Sequence, residues 1–337
     1  MNYFKSLLLL IVLCISCTTK KQSPPNFTIA FGSCNNQVLE NTLWSSIEKN
    51  KPNVWIWGGD IIYSDTNDME YLAKNYERQK KDTSYANFAK KVDVLATWDD
   101  HDYGMNDGGM EYEQKEASQQ LFLDFLDVPK NDARRTQKGI YHSKKYTINN
   151  QSVKIILLDT RYFRTALTPD TITKKRYQPT INSAASMLGE TQWKWLENEL
   201  KTSKASYNII MSSIQFLSAE HGFESWGNMP NEVTKFEGLL KKTQANNVII
   251  LSGDRHISEI SKKEIEGINY PLIDFTSSGL THSYTNFTSE PNTYRIVDVV
   301  SDKSFGILKI DFSKNEVVME IRGAENALFR SYTQKYF

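Results

Sequence analysis

Acidic residues and histidines recur in three short motifs, each of which directly follows a run of β-favouring residues. The motifs lie at 59–63 (GDIIY), 98–102 (WDDHD) and 253–256 (GDRH). A single Asp at the end of a strand is most often a helix cap or a turn residue. Several carboxylates that crowd neighbouring strand ends, however, would repel one another unless cations neutralised them. The three motifs together therefore predict a metal site.

The elements that must position these motifs alternate between strands and helices. β-rich runs that end in polar residues lie at 27–31, 54–57, 92–97, 155–158, 208–211 and 248–251. Helical patterns between them lie at 43–47, 69–81, 111–125, 191–200 and 232–242. Such alternation favours an α/β fold with a largely parallel sheet, in which ligands gather beyond the carboxyl ends of the strands. The acidic motifs lie at those ends.

The pattern changes in the last part of the chain. Strand-like runs at 294–300, 304–310 and 317–321 follow one another with no long helix between them. These runs predict an antiparallel flank. The proline-bearing segment 165–183 is typical of an insertion rather than of a domain linker. We therefore predict a single domain over residues 27–337.

Composition narrows the possible classes of function. The 337 residues include 40 Lys and Arg against 40 Asp and Glu, which gives a formal net charge of zero. Binding to nucleic acid or to an anionic membrane surface requires an excess of clustered basic residues. The charge balance therefore argues against a nucleic-acid partner.

The first segment has the features of an export signal. Residues 7–15 form an apolar run that is too short to span a membrane. The run ends in Ser16-Cys17, which resembles a bacterial lipobox, although Cys14 replaces the Leu that is usual three positions earlier. A plain signal peptide is the alternative. We predict a lipoprotein-type signal peptide over 1–16, a lipid anchor at Cys17, a tether over 17–26 and a location in the bacterial cell envelope, periplasmic or outer-membrane.

Cys34 needs a separate explanation. Cleavage before Cys17 would remove Cys14, and acylation would block Cys17, so Cys34 would be the one free thiol of the folded body. A leftover thiol in an exported protein is either buried and inert or recruited for chemistry. The only membrane contact that we expect is through the lipid anchor.

The ordered motifs resemble those of calcineurin-like metallophosphoesterases. Further motifs resemble the alkaline phosphatase D family more narrowly, at 31–34 (FGSC), 158–161 (LDTR) and 188–196 (LGETQWKWL). The resemblance extends from about residue 27 to the C-terminal strands. It implies a four-layer α/β/β/α sandwich with a bimetal centre between its two sheets.

The resemblance also suggests ligands for the first metal. The wider superfamily has Asp-x-His after its first strand, where this chain has Cys34. Thiolate and phenolate ligands together suit a ferric ion. We therefore expect Cys34, Asp60, Tyr63 and His256 to bind Fe3+, with a buried, inert Cys34 as the alternative.

The second metal is expected to share Asp60 with the first. Asp100 and Asp254 stand where the superfamily usually has Asn and His, and extra carboxylates favour hard cations. The family resemblance implies Ca2+, with Mn2+, Mg2+ or Zn2+ as alternatives. The superfamily also has a His near 212–215, which this chain lacks, and Gln215 is a possible substitute.

The implied reaction is hydrolysis of a small phosphoester by a metal-activated hydroxide. His101 would protonate the leaving oxygen or stabilise phosphoryl charge, with Asp102 or Asp99 orienting its ring. Arg161 and Arg164 could each hold a phosphate oxygen, or could instead be ordinary ion-pairing residues. Weaker candidates for substrate binding or the pocket rim are Asn106, Asp107, His221 and Trp226.

Two other functions remain open at this stage. The signature residues belong to the metals rather than to the leaving group, so a phosphodiesterase or phospholipase-like enzyme could use the same scaffold. A non-catalytic metal-binding lipoprotein is the second alternative. Segments 165–183 and 220–231 would encode the substrate preference.

Overall fold

The computed structural model describes residues 27–336, so the predicted signal peptide, Cys17 and the tether lie outside the described residues. The helices are α1 (Trp44–Glu48), α2 (Met69–Lys81), α3 (Thr83–Ala89), α4 (Asp100–Tyr103), α5 (Lys115–Phe125), α6 (Gly189–Lys201) and α7 (Pro230–Thr243). The strands are β1 (Phe27–Gly32), β2 (Val54–Gly58), β3 (Asp93–Thr97), β4 (His142–Ile148), β5 (Gln151–Leu157), β6 (Thr168–Pro169), β7 (Tyr177–Gln178), β8 (Tyr207–Met211), β9 (Val248–Ser252), β10 (Ser258–Lys263), β11 (Leu272–Ser277), β12 (Phe305–Asp311), β13 (Glu316–Arg322) and β14 (Leu328–Lys335).

The longer strands form two six-stranded sheets. The first has the order β14-β13-β12-β1-β2-β3 and the second the order β10-β11-β9-β8-β5-β4. In the first sheet β1, β2 and β3 are parallel, whereas β12, β13 and β14 add antiparallel strands beside β1. In the second sheet β5, β8, β9 and β11 are parallel. Each sheet therefore has a parallel part whose carboxyl ends lie at one edge.

Strand periodicity explains how the layers pack. Alternate residues of a strand point to opposite faces of its sheet. Phe31 of β1 packs between the sheets, with its ring centroid 4.9 Å from that of Phe275 in β11. Trp55 and Trp57 point to the outer face of the first sheet, where both contact Trp44 of α1. This outer face is covered by α1, α2, α3 and α5.

Helices α6 and α7 complete the arrangement. Leu196 of α6 and Phe236 and Leu240 of α7 are buried in the same cluster as the strands of the second sheet. The fold is thus the expected four-layer α/β/β/α sandwich. None of the helices in the part of the chain that the structure describes combines the length and the apolar character that a membrane span requires.

The sequence-based prediction of elements agrees with the structure in most of the strands that precede the motifs, but it was wrong at residues 294–300 and missed several elements, among them α3 and β4. All six predicted β runs that precede polar residues are strands, and α2 has the predicted bounds. Residues 294–300, however, form only isolated bridges, from Arg295 to Ser261 and from Val300 to Ser258. This segment lies beside β10 as an irregular edge, so its apolar residues pack without a continuous ladder.

Candidate metal centre

The predicted ligands come from loops at the carboxyl ends of parallel strands in both sheets. Cys34 follows β1, Asp60 follows β2, and Asp254 and His256 follow β9. All four have a left-handed backbone, with φ of 58°, 50°, 66° and 55°. Residues other than glycine rarely adopt this region, and such strain persists where the surrounding structure over-determines it. The sharp turns bring these side chains together at the edge between the two sheets.

The first cluster contains all four residues predicted to bind iron. The Cys34 Sγ lies 3.3 Å from Asp60 Oδ2, and the Tyr63 hydroxyl donates to the same oxygen at 3.3 Å. The Tyr63 hydroxyl also lies 3.3 Å from His256 Nε2. Ser278, which follows β11, contacts Cys34 Sγ at 2.9 Å and accepts from the His256 amide at 2.8 Å. A thiol sulfur, an imidazole nitrogen, a carboxylate oxygen and a phenol oxygen therefore lie close together.

The second cluster consists mainly of carboxylates. Asp60, Asp100 and His101 each offer an atom within 4.8 Å of the others, and Asp99, Asp100 and Asp254 do the same. Asp60 belongs to both clusters, and Asp100 to both of these carboxylate groups. The arrangement matches two neighbouring cation sites that share Asp60.

The charges at this edge are unfavourable without cations. Burial, the Cys34 thiol and Asp100 raise the pKa of Asp60 well above its usual range. Burial and the charges of Asp99 and Asp100 do the same to Asp254. Burial also raises the pKa of Cys34 to about 11. Bound cations would reverse these shifts, so the residues present fit a metal centre.

His101 belongs to the second cluster, and its ring has a partner that the sequence did not reveal. Its Nδ1 is 2.6 Å from Asp65 Oδ2. Asp102 instead accepts hydrogen bonds from the amides of Asp99 at 2.6 Å and Ile61 at 3.1 Å. The expectation that Asp102 or Asp99 orients the ring was therefore wrong, because Asp102 holds the loops after β2 and β3 together.

Arg161 and Arg164 are also placed differently from the expectation of phosphate binding. Both side chains are completely buried. Arg161 donates from Nε to Asp99 at 2.7 Å and pairs with Glu224 at 2.7 Å, while Arg164 Nε lies 3.0 Å from Glu224. The guanidinium groups neutralise buried carboxylates and do not line the cavity. Their role is therefore to stabilise the structure around the site.

The LDTR and LGETQ motifs support the same region. Asp159 accepts from the Trp98 indole at 2.9 Å and from the amides of Arg161 and Tyr162 at 2.9 Å each. Gln192 of α6 accepts from the Asp159 amide and donates to the Asp159 carbonyl, both at 2.8 Å. These motifs therefore link α6 to the loops that follow β3 and β5.

The remaining candidates divide into loop supports and cavity residues. His221 accepts from the Phe223 amide at 3.0 Å through Nδ1, so it supports its own loop and does not line the cavity. Gln215 donates to Glu259 and Thr276 at 2.7 and 2.8 Å and does not line the cavity described below. The Trp226 indole donates to Ser212 at 2.8 Å in the core.

A cavity of about 160 Å³ opens onto the second cluster. It is lined by Asp100, His101, Asn106, Asp107, Arg176, Phe223, Glu224, Asp254, Arg255 and His256. Asn106 and Asp107, the loop candidates from the sequence, both line this cavity. Arg176, Phe223 and Glu224 come from the segments 165–183 and 220–231 that were expected to encode substrate preference, but sequence reasoning did not single them out because no motif marks them.

Comparison with known proteins decides the family. The family model described as PhoD-like phosphatase matches residues 29–317. The chain belongs to the PhoD-like phosphatase family. It is 23% identical over 283 residues to alkaline phosphatase D of Bacillus subtilis (strain 168), an alignment that covers 72% of this chain and 48% of that protein. The chain therefore spans about half the length of this curated relative.

Solved structures share the fold. The structure of PhoD superposes with a TM-score of 0.74 at 18% identity and covers 93% of this chain and 71% of that one. A dimetal phosphatase from Danio rerio superposes with a TM-score of 0.54 at 13% identity, covering 93% of this chain and all of that one. At these low identities the superpositions show that this chain shares its fold with those two proteins.

Proposed function

We propose that this protein hydrolyses phosphoesters at a two-metal centre that shares Asp60. The observation that carries the proposal is the pair of adjacent ligand clusters beside a cavity that His101 also lines. Membership of the PhoD-like phosphatase family supports the same reaction. A purely structural cation would not need a second cluster or an open cavity beside it.

The donor atoms suggest which metals bind. A ferric ion suits the thiolate, phenolate, imidazole and carboxylate of Cys34, Tyr63, His256 and Asp60. A hard cation suits the carboxylates around Asp100 and Asp254, for which Ca2+ is our first choice and Mn2+, Mg2+ or Zn2+ are alternatives. When bound, the metals would supply Lewis-acid activation of water and of the phosphoryl group.

The protein's own side chains would handle the proton. His101 lines the cavity, and although burial lowers its pKa, the hydrogen bond between its ring and Asp65 raises it. A protonated ring can donate to the leaving-group oxygen. Asp65 fixes the ring through Nδ1, which leaves Nε2 for the substrate.

We also propose that the protein is exported and anchored to the bacterial cell envelope through Cys17. The apolar run at 7–15 and the lipobox-like Ser16-Cys17 support this location. Labelling cells with an alkyne fatty acid should mark the wild-type protein and not a Cys17→Ala variant. Labelling of both variants alike would contradict the anchor.

The reaction is tested by steady-state kinetics on three substrates: 4-nitrophenyl phosphate, bis(4-nitrophenyl) phosphate and a phospholipid. We expect hydrolysis of the monoester, loss of turnover on chelation and recovery with iron and calcium. Greater turnover of the diester or the phospholipid would replace the phosphatase with a phosphodiesterase or phospholipase-like activity. A metal-loaded protein that is inactive on all three would contradict the proposed function.

The identity of the first metal has its own test. A ferric phenolate absorbs visible light, so the Tyr63→Phe variant should lose a colour that the wild-type protein shows. Tyr284→Phe is the matched control, because Tyr284 is 44% exposed and does not line the cavity. An unchanged spectrum in Tyr63→Phe, or an iron content unaffected by Cys34→Ala, would contradict the iron assignment.

A further inference from the structure

One wall of the cavity presents an aromatic ring. Phe223 is the one apolar side chain among the ten residues of the described chain that line the cavity, and it is 40% exposed. Its neighbours there are charged or polar. An exposed apolar residue on an open surface needs no explanation. Phe223 has a different setting, because its ring lies in the wall of a charged cavity.

The ring is supported from one side by a buried guanidinium. The Arg255 guanidinium carbon lies 4.2 Å from the centroid of the Phe223 ring, which is within cation–π distance. Arg255 is 8% exposed and donates from Nη2 to both carboxylate oxygens of Glu290 at 2.8 and 2.9 Å. Arg255 also lies between two of the candidate ligands in sequence. The ring is therefore tied to the loop that carries the metal site.

Hydrogen bonds also fix the backbone of the loop that carries Phe223. The Phe223 amide donates to His221 Nδ1 at 3.0 Å. The Gly222 carbonyl accepts from the amides of Arg176 and Tyr177 at 3.0 and 2.9 Å. A side chain whose backbone is fixed by hydrogen bonds and whose ring has a stacking partner is preorganised for binding.

The surroundings decide what the ring can bind. The Arg255 guanidinium already stacks on the Phe223 ring, so a cationic group placed on the same ring would lie close to a like charge. The ring can instead contact a flat apolar group by offset or edge-to-face stacking. Because one cavity contains both the ring and Asp100, Asp254 and His256, a small phosphoester bound at the metals can reach Phe223 with its leaving group.

We propose that Phe223 is a specificity-determining residue that binds an aromatic or other flat apolar leaving group of the phosphoester. This inference rests on the proposed phosphoesterase function. It assigns to the 219–224 loop the choice between apolar and polar leaving groups, and the metal ligands have no part in that choice.

The test uses two phosphonates that share a head group and are not hydrolysed. Calorimetric titration of the metal-loaded full chain with phenylphosphonate and methylphosphonate measures their dissociation constants. Phe223→Ala should weaken phenylphosphonate about fivefold, as the loss of one aromatic contact would give, and should leave methylphosphonate unchanged. Phe223→Tyr, which keeps the ring, should restore the preference. Tyr284→Ala, which removes an exposed aromatic that does not line the cavity, should change neither.

The outcomes separate this inference from the proposed function. If both phosphonates bind the wild-type protein and Phe223→Ala weakens them equally or not at all, the leaving-group role is wrong while the phosphoesterase stands. If neither phosphonate binds and no phosphoester is hydrolysed, the proposed function fails and the inference fails with it.

Discussion

At the scale of single residues, Arg161 shows why residue type alone does not reveal a role. An arginine at a strand end is well suited to hold phosphate, but this one is completely buried between Asp99 and Glu224. Burial raises the pKa of Asp99 to about 7 even with the guanidinium beside it. Asp99 and Glu224 therefore depend on the positive charge of Arg161 to remain ionised in the core.

Replacing Arg161 by Met should consequently destabilise the fold. Removing one partner of a buried ionic network leaves the other charges uncompensated and typically costs about 3–5 kcal/mol. Urea unfolding of Arg161→Met should show a loss of that size. Arg176→Met is the control, since the Arg176 side chain is 52% exposed and its pair with Asp107 should contribute about 1 kcal/mol or less. Unchanged stability together with a raised KM would instead favour phosphate binding by Arg161.

The structure shows that Asp65 is the hydrogen-bond partner of the His101 ring. We predict that Asp65→Asn lowers kcat about tenfold to a hundredfold, as loss of a group that orients a functional histidine does, while metal content stays unchanged. The control is Asp68→Asn, because Asp68 caps α2 and Asn caps a helix equally well. Loss of bound metal in Asp65→Asn would show that Asp65 acts on the centre itself.

The candidate ligands could be predicted from the sequence because they lie in the short motifs that follow β1, β2, β3 and β9. Asp65, Glu224 and Ser278 could not, because no local pattern distinguishes them. Glu224, for example, meets Arg161 from a different loop, and only the packing of the two sheets brings these loops together.

At the scale of elements, the turn before Asp60 is a sensitive point. Gly59 has φ of 94°, and a Cβ there would lie 2.4 Å from the Asp99 Cβ. Gly59→Ala should therefore displace the loops that carry Asp60 and Asp99 and lower both the midpoint of thermal unfolding and metal content. Gly238→Ala is a matched control in α7, where a Cβ meets nothing within 4 Å and should stabilise the helix by about 0.5–1 kcal/mol. Equal effects of the two substitutions would contradict this account.

The 219–224 loop should make stability depend on pH. Burial and the charge of Arg255 lower the pKa of His221 to about 3, whereas an unfolded His has a pKa of about 6.5. The unfolded chain thus takes up this proton first, so the stability that His221 contributes is complete above pH 6.5 and is lost as pH falls toward 3. Between pH 7.5 and pH 5 the loss should be about 2 kcal/mol. Urea unfolding of His221→Gln should lack this part of the pH dependence, and parallel pH profiles would contradict it.

Strands and helices with strong periodicity were predictable, and those with weak periodicity were not. The six apolar runs form strands that are mostly buried, and only β3, at the edge of its sheet, begins with two partly exposed residues among the strands whose ends precede the motifs. β4 (His142–Ile148) was missed because it is an edge strand in which Lys144 and Lys145 are exposed. Charged residues on an edge strand discourage pairing with other chains but also hide the strand from pattern analysis.

At the scale of the whole molecule, local patterns could not divide the strands between two sheets. β3 and β5 are separated in the chain by one edge strand, yet they belong to different sheets. The pattern of alternating strands and helices alone predicts one parallel sheet. The prediction of four layers came from the family resemblance, and the packing of Phe31 against Phe275 shows where the sheets meet.

The central claim is that two metals share Asp60 and that this centre hydrolyses phosphoesters. The most direct measurement is metal content by mass spectrometry together with turnover of 4-nitrophenyl phosphate, for the wild-type protein and Asp60→Asn. We predict two metals per wild-type chain, loss of both in the variant, and a fall in kcat/KM of about a thousandfold, as the loss of several kcal/mol of charge stabilisation gives. An Asp60→Asn variant that keeps its metals and its turnover would contradict the account.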